Sequence, residues 1–139
     1  MRYYCPGCWK DFAEDLAQCP ECGLDTRHFY DSKDYCEKLI LALSHPERQT
    51  PLRAAWILGQ RRELRAVSAL IELVHRTDDV YIATAAVEAL GKIGTSEALA
   101  FVGTLTDVEI RMVRAAARRI IETSHGEETH RQPGRERKA

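Results

Sequence analysis

Between Cys36 and Ile121 the apolar residues recur at helical spacing. Cys36, Leu39, Ile40 and Leu43 follow the i, i+3, i+4, i+7 pattern of a single buried stripe. Pro46 ends that helix, because a proline removes a backbone donor and clashes with the preceding turn. Thr50 is then expected as an N-cap, with Pro51 as the first helical residue of a segment carrying Leu52, Ala54, Ala55, Trp56, Ile57 and Leu58. Gly59 lies near its end. A third stripe takes Leu64, Val67, Leu70, Ile71 and Val74 and stops at the polar turn Arg76-Thr77-Asp78-Asp79. A fourth takes Val80, Ala83, Ala86, Val87 and Leu90 and is expected to close at Gly91 and Gly94. Leu99, Val102 and Leu105 make a fifth, and Val113, Ala116, Ala117, Ile120 and Ile121 a sixth. Six helices of roughly 10–16 residues leave no space for strands in this region.

The helices repeat. Leu52 to Gly59 aligns with Thr84 to Gly91 at an offset of 32, and Ala86 to Leu90 aligns with Ala116 to Ile120 at an offset of 30. Ala66 to Val74 aligns with Ala98 to Leu105 once one residue is deleted. A period near 30 residues with two helices per unit is the signature of an α-solenoid, in which each unit buries its apolar face on the next. Alanines fall where helices must come close. The chain is therefore expected to be mainly α, with three repeat units.

Composition narrows the class. The 139 residues are 45% apolar and 29% charged, as in a globular protein, and the net charge is −1. A protein devoted to gripping phosphates normally carries a basic excess, so a dedicated nucleic-acid binder is disfavoured. No apolar run reaches membrane-spanning length and the N-terminus lacks a signal-peptide core, which makes a cytoplasmic location the expectation. Residues 1–30 carry 3 basic and 5 acidic side chains, residues 31–124 carry 13 of each, and residues 125–139 carry 4 and 3. The last segment has no large apolar side chain and is read as a disordered tail. The expected domains are 1–30, 31–124 and this tail.

Thr50 to Gly59 and Ala85 to Gly94 resemble the short HEAT-like repeats first described in the phycobilisome lyase family, over about residues 34–123. That resemblance implies an armadillo-like helical solenoid whose second helices line a concave face. The family spans pigment-lyase subunits, hydroxylases, a DNA glycosylase group and plain scaffolds, so fold does not transfer activity. The hydroxylase branch binds metal through His-Glu dipeptides, and this sequence has none. His28, His45, His75, His125 and His130 show no ligand spacing. There is also no nucleophile elbow and no phosphate-binding glycine loop.

Four of the five cysteines form the pairs Cys5-Pro6-Gly7-Cys8 and Cys19-Pro20-Glu21-Cys22. Each Cys-x-x-Cys turn presents two thiolates to one ion, and two such turns close a tetrahedral sulfur site. An odd cysteine count with paired spacing fits a metal site in a reducing compartment better than disulfides. Residues 3–25 resemble a short zinc ribbon. One structural Zn2+ per chain is expected, with rubredoxin-type iron and free redox thiols as the alternatives weighed. Cys36, on the stripe of Leu39 and Leu43, is expected in the core.

The remaining signal is basic. Gln60 to Arg65 is one arginine cluster, and Arg111, Arg114, Arg118 and Arg119 are another. If second helices line a concave face, Arg53, Arg111, Arg114 and Arg118 are candidates to hold an acidic protein partner, and Arg53, Arg114 and Arg118 are expected to be free of any folding role. The segment from Asp79 to Leu90 has no Lys or Arg, which breaks a phosphate-tracking stripe. The leading expectation is a non-enzymatic protein-interaction adaptor, with the ribbon capping the first repeat through Trp9, Phe12, Phe29 and Tyr30. A nucleic-acid module using ribbon and arginines, or an accessory subunit of a lyase-like enzyme, are the alternatives.

Overall fold

The structure, a computed structural model, describes residues 1–130. It opens with a two-stranded antiparallel ribbon, β1 (Tyr3–Tyr4) and β2 (Asp11–Phe12), with Tyr3 opposite Phe12 and Tyr4 opposite Asp11. Seven α-helices follow among the described residues: α1 (Thr26–Asp31), α2 (Tyr35–Ala42), α3 (Gln49–Gln60), α4 (Val67–Arg76), α5 (Val80–Ile93), α6 (Ser96–Gly103) and α7 (Arg111–His130). A 3-10 turn over Leu64–Ala66 leads into α4. Helices α3, α5 and α7 lie in one layer, and α2, α4 and α6 pair with them in the other. Helix α5 packs against α3, α4, α6 and α7, so it is the centre of the domain.

The stripes read from the sequence meet in one core, except at Leu64, which lies in the 3-10 turn ahead of α4 and is 65% exposed. Leu58, Leu70, Val87, Leu90 and Val102 are fully buried, and Cys36 joins them as a core residue. Each buried Leu or Val of this kind is worth about 1.5–3 kcal/mol over its exposed state. Local chemistry sets the helix starts. Asp34 and Glu37 form a reciprocal capping box on α2, Asp79 accepts from the Tyr81 and Ile82 N–H groups at α5, and Thr95 accepts from the Ala98 N–H at α6.

Glycine and alanine fix the distance between units. A Cβ placed on Gly59 would stand 2.8 Å from the Ala89 Cα, backbone that cannot retreat. One repeat on, a Cβ on Gly91 would meet the Ile120 side chain at 2.7 Å. Ion pairs then bridge neighbouring units at one constant separation: Asp34 with Arg65 (2.9 Å), Arg48 with Asp79, and Glu88 with Arg119 (3.0 Å), each 31 residues apart.

Several boundaries differ from the sequence reading. Helix α3 begins at Gln49 because the Thr50 N–H already bonds the Glu47 carbonyl (3.0 Å), so Thr50 is not its cap. Pro51 is buried inside the first turn, where its missing N–H has no intrahelical partner to lose. The segment 26–32, expected as a plain connection, is mostly α1, started by Asp25 accepting from the His28 N–H at 3.0 Å. Gly91 lies within α5, and Gly94 alone closes it in the left-handed region at φ +69°. Helices α2 and α6 have 8 residues, fewer than expected, and α7 has 20. Helix α7 runs on to His130, past the boundary placed at Ser124. Residues 131–139 of the expected tail lie outside the described residues.

The glycine contacts give a test. Gly59→Ala is expected to lower stability by about 1–3 kcal/mol, since overpacking against backbone outweighs alanine's better helix propensity. Gly91→Ala is expected to lose less, because Ile120 is a half-exposed side chain that can move. Urea unfolding of both variants beside the parent chain checks the order.

Candidate metal centre and the surfaces around it

The two Cys-x-x-Cys turns are built alike. In the first, the Cys5 N–H bonds the Lys10 carbonyl (3.0 Å) and the Trp9 N–H bonds the Cys5 carbonyl (2.8 Å). In the second, the Cys19 N–H bonds the Leu24 carbonyl (2.9 Å) and the Gly23 N–H bonds the Cys19 carbonyl (2.9 Å). The β1–β2 pair and the bridge between Gln18 and Asp25 hold the two turns from outside. As a result the ligand atoms of Cys5, Cys8, Cys19 and Cys22 all lie within 4.8 Å of one another. The Cys5–Cys22 and Cys8–Cys19 sulfur distances are 3.6 and 3.7 Å. Zinc–sulfur bonds of about 2.3 Å at tetrahedral angles put sulfurs about 3.8 Å apart, so the donor set has the size and type for such an ion.

Charge makes the same point. Burial works against a Cys19 thiolate, but the N–H groups of Cys22 and Glu21 outweigh it and draw its pKa down to about 7. Cys22 moves the other way. The Leu24 N–H favours its thiolate, yet the Cys5 sulfur, desolvation and the Cys19 and Cys8 sulfurs push it up to about 12. Four thiols this close cannot all ionise alone, and a divalent cation removes the conflict by charging every sulfur at once. Cys5 and Cys19 face inward at 2% exposure, while Cys8 and Cys22 are exposed.

The residues flanking the first turn join the ribbon to the helices. His45, in the loop between α2 and α3, packs edge-on against Tyr4 (4.5 Å between centroids) on one side and Trp9 (5.2 Å) on the other. The Tyr4 hydroxyl donates to Glu47 Oε1 at 3.3 Å, and His45 Nδ1 accepts from the Glu47 N–H at 3.0 Å. Desolvation lowers the His45 pKa, which keeps the ring neutral between the two aromatics, against the weaker pull of Glu47. Trp9 holds φ at +58°, at the position where the second turn has Gly23 at +79°. A bulky residue there costs about 1–2 kcal/mol, and the His45 contact is what it gains. Of the four aromatics expected to meet the repeats, Trp9 makes this contact. Phe29 instead stacks on Tyr30 and carries the Lys33 ammonium over its ring. His45 could not be found from ligand spacing, because its role is packing.

The arginine candidates separate. Arg53 and Arg111 are exposed, with no hydrogen bond or ion pair among the described residues. Arg114 donates to the Val108 (3.0 Å) and Glu109 carbonyls, and Arg118 donates to the Thr106 carbonyl (2.8 Å) and reaches Asp107. These two hold the loop that joins α6 to α7, so the expectation that they play no part in folding does not stand. Their helix faces a loop of unpaired carbonyls, which apolar spacing does not reveal. Arg61 pairs with Glu63 and lies over the Tyr35 ring, and Arg65 pairs with Asp34, so most of the first cluster is also engaged. Sequence reasoning missed two exposed groups on the α3–α5–α7 layer. Trp56 is 60% exposed on α3, and Lys92 stands between the two grooves that flank α5.

Two helical layers repeating every 31 residues, with small residues at the contacts, define a helical-repeat solenoid. A family model for HEAT repeats matches residues 36–122, more than half of the chain, and the chain belongs to that family. The match is to HEAT repeats in general and does not single out the phycobilisome lyase-type branch. No curated protein matches the chain, and no solved structure does. Among the described residues no helix is long and apolar enough to cross a membrane.

Two sets of variants test these assignments. Trp9→Gly and Trp9→Ala both remove the ring, but only alanine keeps the left-handed strain. The glycine variant is therefore expected to be more stable by about 1 kcal/mol in chemical denaturation of the metal-loaded chain. Arg114→Ala should cost about 1–2 kcal/mol by freeing two carbonyls, whereas Arg53→Ala should be neutral within about 0.5 kcal/mol. Equal melting of those two variants would remove the structural role given to Arg114.

Proposed function

We propose that this chain is a non-enzymatic protein-interaction scaffold, in which a structural Zn2+ at Cys5, Cys8, Cys19 and Cys22 folds the ribbon and the HEAT layer of α3, α5 and α7 receives a protein partner. The observation that carries the reading is the exposed indole of Trp56 on that layer, beside apolar Ala85 and Ala89. Exposed tryptophans set among small residues are the type of group that dominates binding energy at protein interfaces. The metal belongs to the fold, since four thiolates complete a tetrahedral zinc shell and leave no position for a reactive water. Its task is to order about twenty residues that have too small a core of their own. Among the arginines at that layer Arg48 and Arg119 are already paired with Asp79 and Glu88, and the exposed Arg53 and Arg111 are separated by α5, which carries no arginine; that favours protein over nucleic acid as the partner.

One preparation tests both halves. Full-length chain purified without added metal is expected to hold about one zinc per chain by elemental analysis. Cross-linking of tagged chain in cells, with nuclease treatment, is expected to recover a protein in stoichiometric amount, attached through the α3–α5–α7 layer. Recovery of nucleic acid alone, or cross-links confined to the ribbon, overturns the scaffold reading; iron, or no metal with an ordered ribbon, overturns the zinc assignment.

A further inference from the structure

A cleft of about 500 Å3 opens between α5 and α7, with Gly91, Leu99 and Ile120 as its apolar part. Gly91 is the reason α7 comes so near, since any side chain there would run into Ile120. A volume of this size is in the range of ligand-binding clefts and suits one or two apolar side chains. Across the rim lies a second, smaller groove formed by Trp56 with Ala85 and Ala89, and Glu88 and Lys92 border both.

The polar groups of the rim are mostly occupied. The Glu88 carboxylate accepts from Arg119 at 3.0 Å. The Thr123 hydroxyl donates to the Arg119 carbonyl at 2.9 Å, and the Ser124 hydroxyl donates to the Ile121 carbonyl at 2.8 Å, so neither is a spare donor. Lys92 is left over. It is exposed and has no hydrogen bond or ion pair among the described residues. The repeat shows how the site came to be apolar at one end: Glu88 lies 32 residues after Trp56 and Arg119 lies 31 after Glu88, so one row runs indole, acid, base. The last two neutralise each other and the first has no ionic partner. Among the described residues the cleft thus offers one cation, Lys92, without an ionic partner, between two apolar surfaces.

We propose that this surface binds a short acidic segment of a partner protein, with a carboxylate on Lys92, an adjoining apolar side chain in the cleft against Leu99 and Ile120, and a second on the Trp56 ring. The inference rests on the protein-interaction reading above and gives that partner its chemistry. Charge complementarity selects it. A carboxylate satisfies the single free ammonium, and the apolar neighbours cover the surfaces on either side. A phosphate backbone needs a series of cations along its path, and here Arg119 is held by Glu88 and, among the described residues, Lys92 is the other cation of the lining.

The experiment is a selection of short random peptides displayed on phage against the full-length, zinc-loaded chain, followed by synthesis of the enriched sequence. Enriched peptides are expected to carry Asp or Glu next to Leu, Ile or Phe. The synthetic peptide should shift the Trp56 indole N–H resonance, assigned with Trp56→Phe, and leave the Trp9 indole unmoved. Lys92→Glu and Trp56→Ala should each weaken it about tenfold or more, and Arg111→Ala should not. All three positions are exposed, so melting should be unchanged; Lys92→Gln, expected to fall between parent and Lys92→Glu, guards against a misfolded variant. Basic enriched peptides, or no enrichment at all, overturn the inference. Acidic peptides that shift resonances only on the ribbon or around Arg53 overturn this site and leave the scaffold reading standing. Binding of a uridine oligonucleotide at the Trp56 indole, without any peptide, overturns both.

Discussion

The approach of α3 to α5 at Gly59 and Ala89 is the constraint on which the rest of this molecule depends. Helix α5 has neighbours on both flanks and beneath it, so any change in that spacing is passed to α4, α6 and α7. The small residues make the contact possible, and the buried leucines behind them make it favourable. Ion pairs 31 residues apart then repeat across the joins. All three are exposed, where Coulomb attraction competes with water and side-chain entropy and contributes little to stability. Their regular spacing suits them better to fixing the register of one unit on the next, since a slip would separate all three pairs.

The ribbon is fastened to this frame by a different kind of contact. Its first Cys-x-x-Cys turn ends in a tryptophan in the left-handed region, a conformation that the equivalent glycine of the other turn adopts at no steric cost. The same contrast occurs in the repeats. Arg62 closes α3 at φ +51°, and Gly94, 32 residues later, occupies the corresponding place after α5 at +69°. Internal repetition thus supplies its own control for strain. Where one copy has glycine and the other a large side chain, the large side chain needs a reason to be there. For Trp9 the reason is His45, held between Trp9 and Tyr4, which ties the order of the first Cys-x-x-Cys turn to the seating of the ribbon.

Much of this was legible in the sequence, and the divide follows the physics. Stripes such as Cys36-Leu39-Leu43 or Val80-Ala83-Val87 report burial directly, so the six repeat helices and their pairing could be read with small errors at the ends. The Cys-x-x-Cys pairs report a ligand set by spacing alone. Contacts between parts distant in sequence leave no such trace. Nothing in the local pattern around His45 distinguishes a ring packed by two aromatics from one in solvent. Nor does the stripe Val113-Ala116-Ala117 say that Arg114 and Arg118 turn toward a loop of open carbonyls. Helix α1 escaped because it is short and buries no residue, leaving only its Asp25 cap as a signal.

The arginines show why composition is a poor guide to the partner of a repeat protein. Counted along the chain, arginine and lysine together (20) balance the acids (21) almost perfectly, which argues against a nucleic-acid groove but says nothing about where a surface is charged. Placed in the fold, Arg48, Arg65 and Arg119 join neighbouring units, Arg61 pairs within its turn, and Arg114 and Arg118 hold a loop. Basic charge that structure already uses is not available to a ligand without breaking something. Among the groups left over in the described residues, Lys92 coincides with an apolar cleft and an exposed indole, and there a modest charge acquires a specific meaning. Recognition on such a surface depends less on how much charge it carries than on which charge the fold has left unpaired.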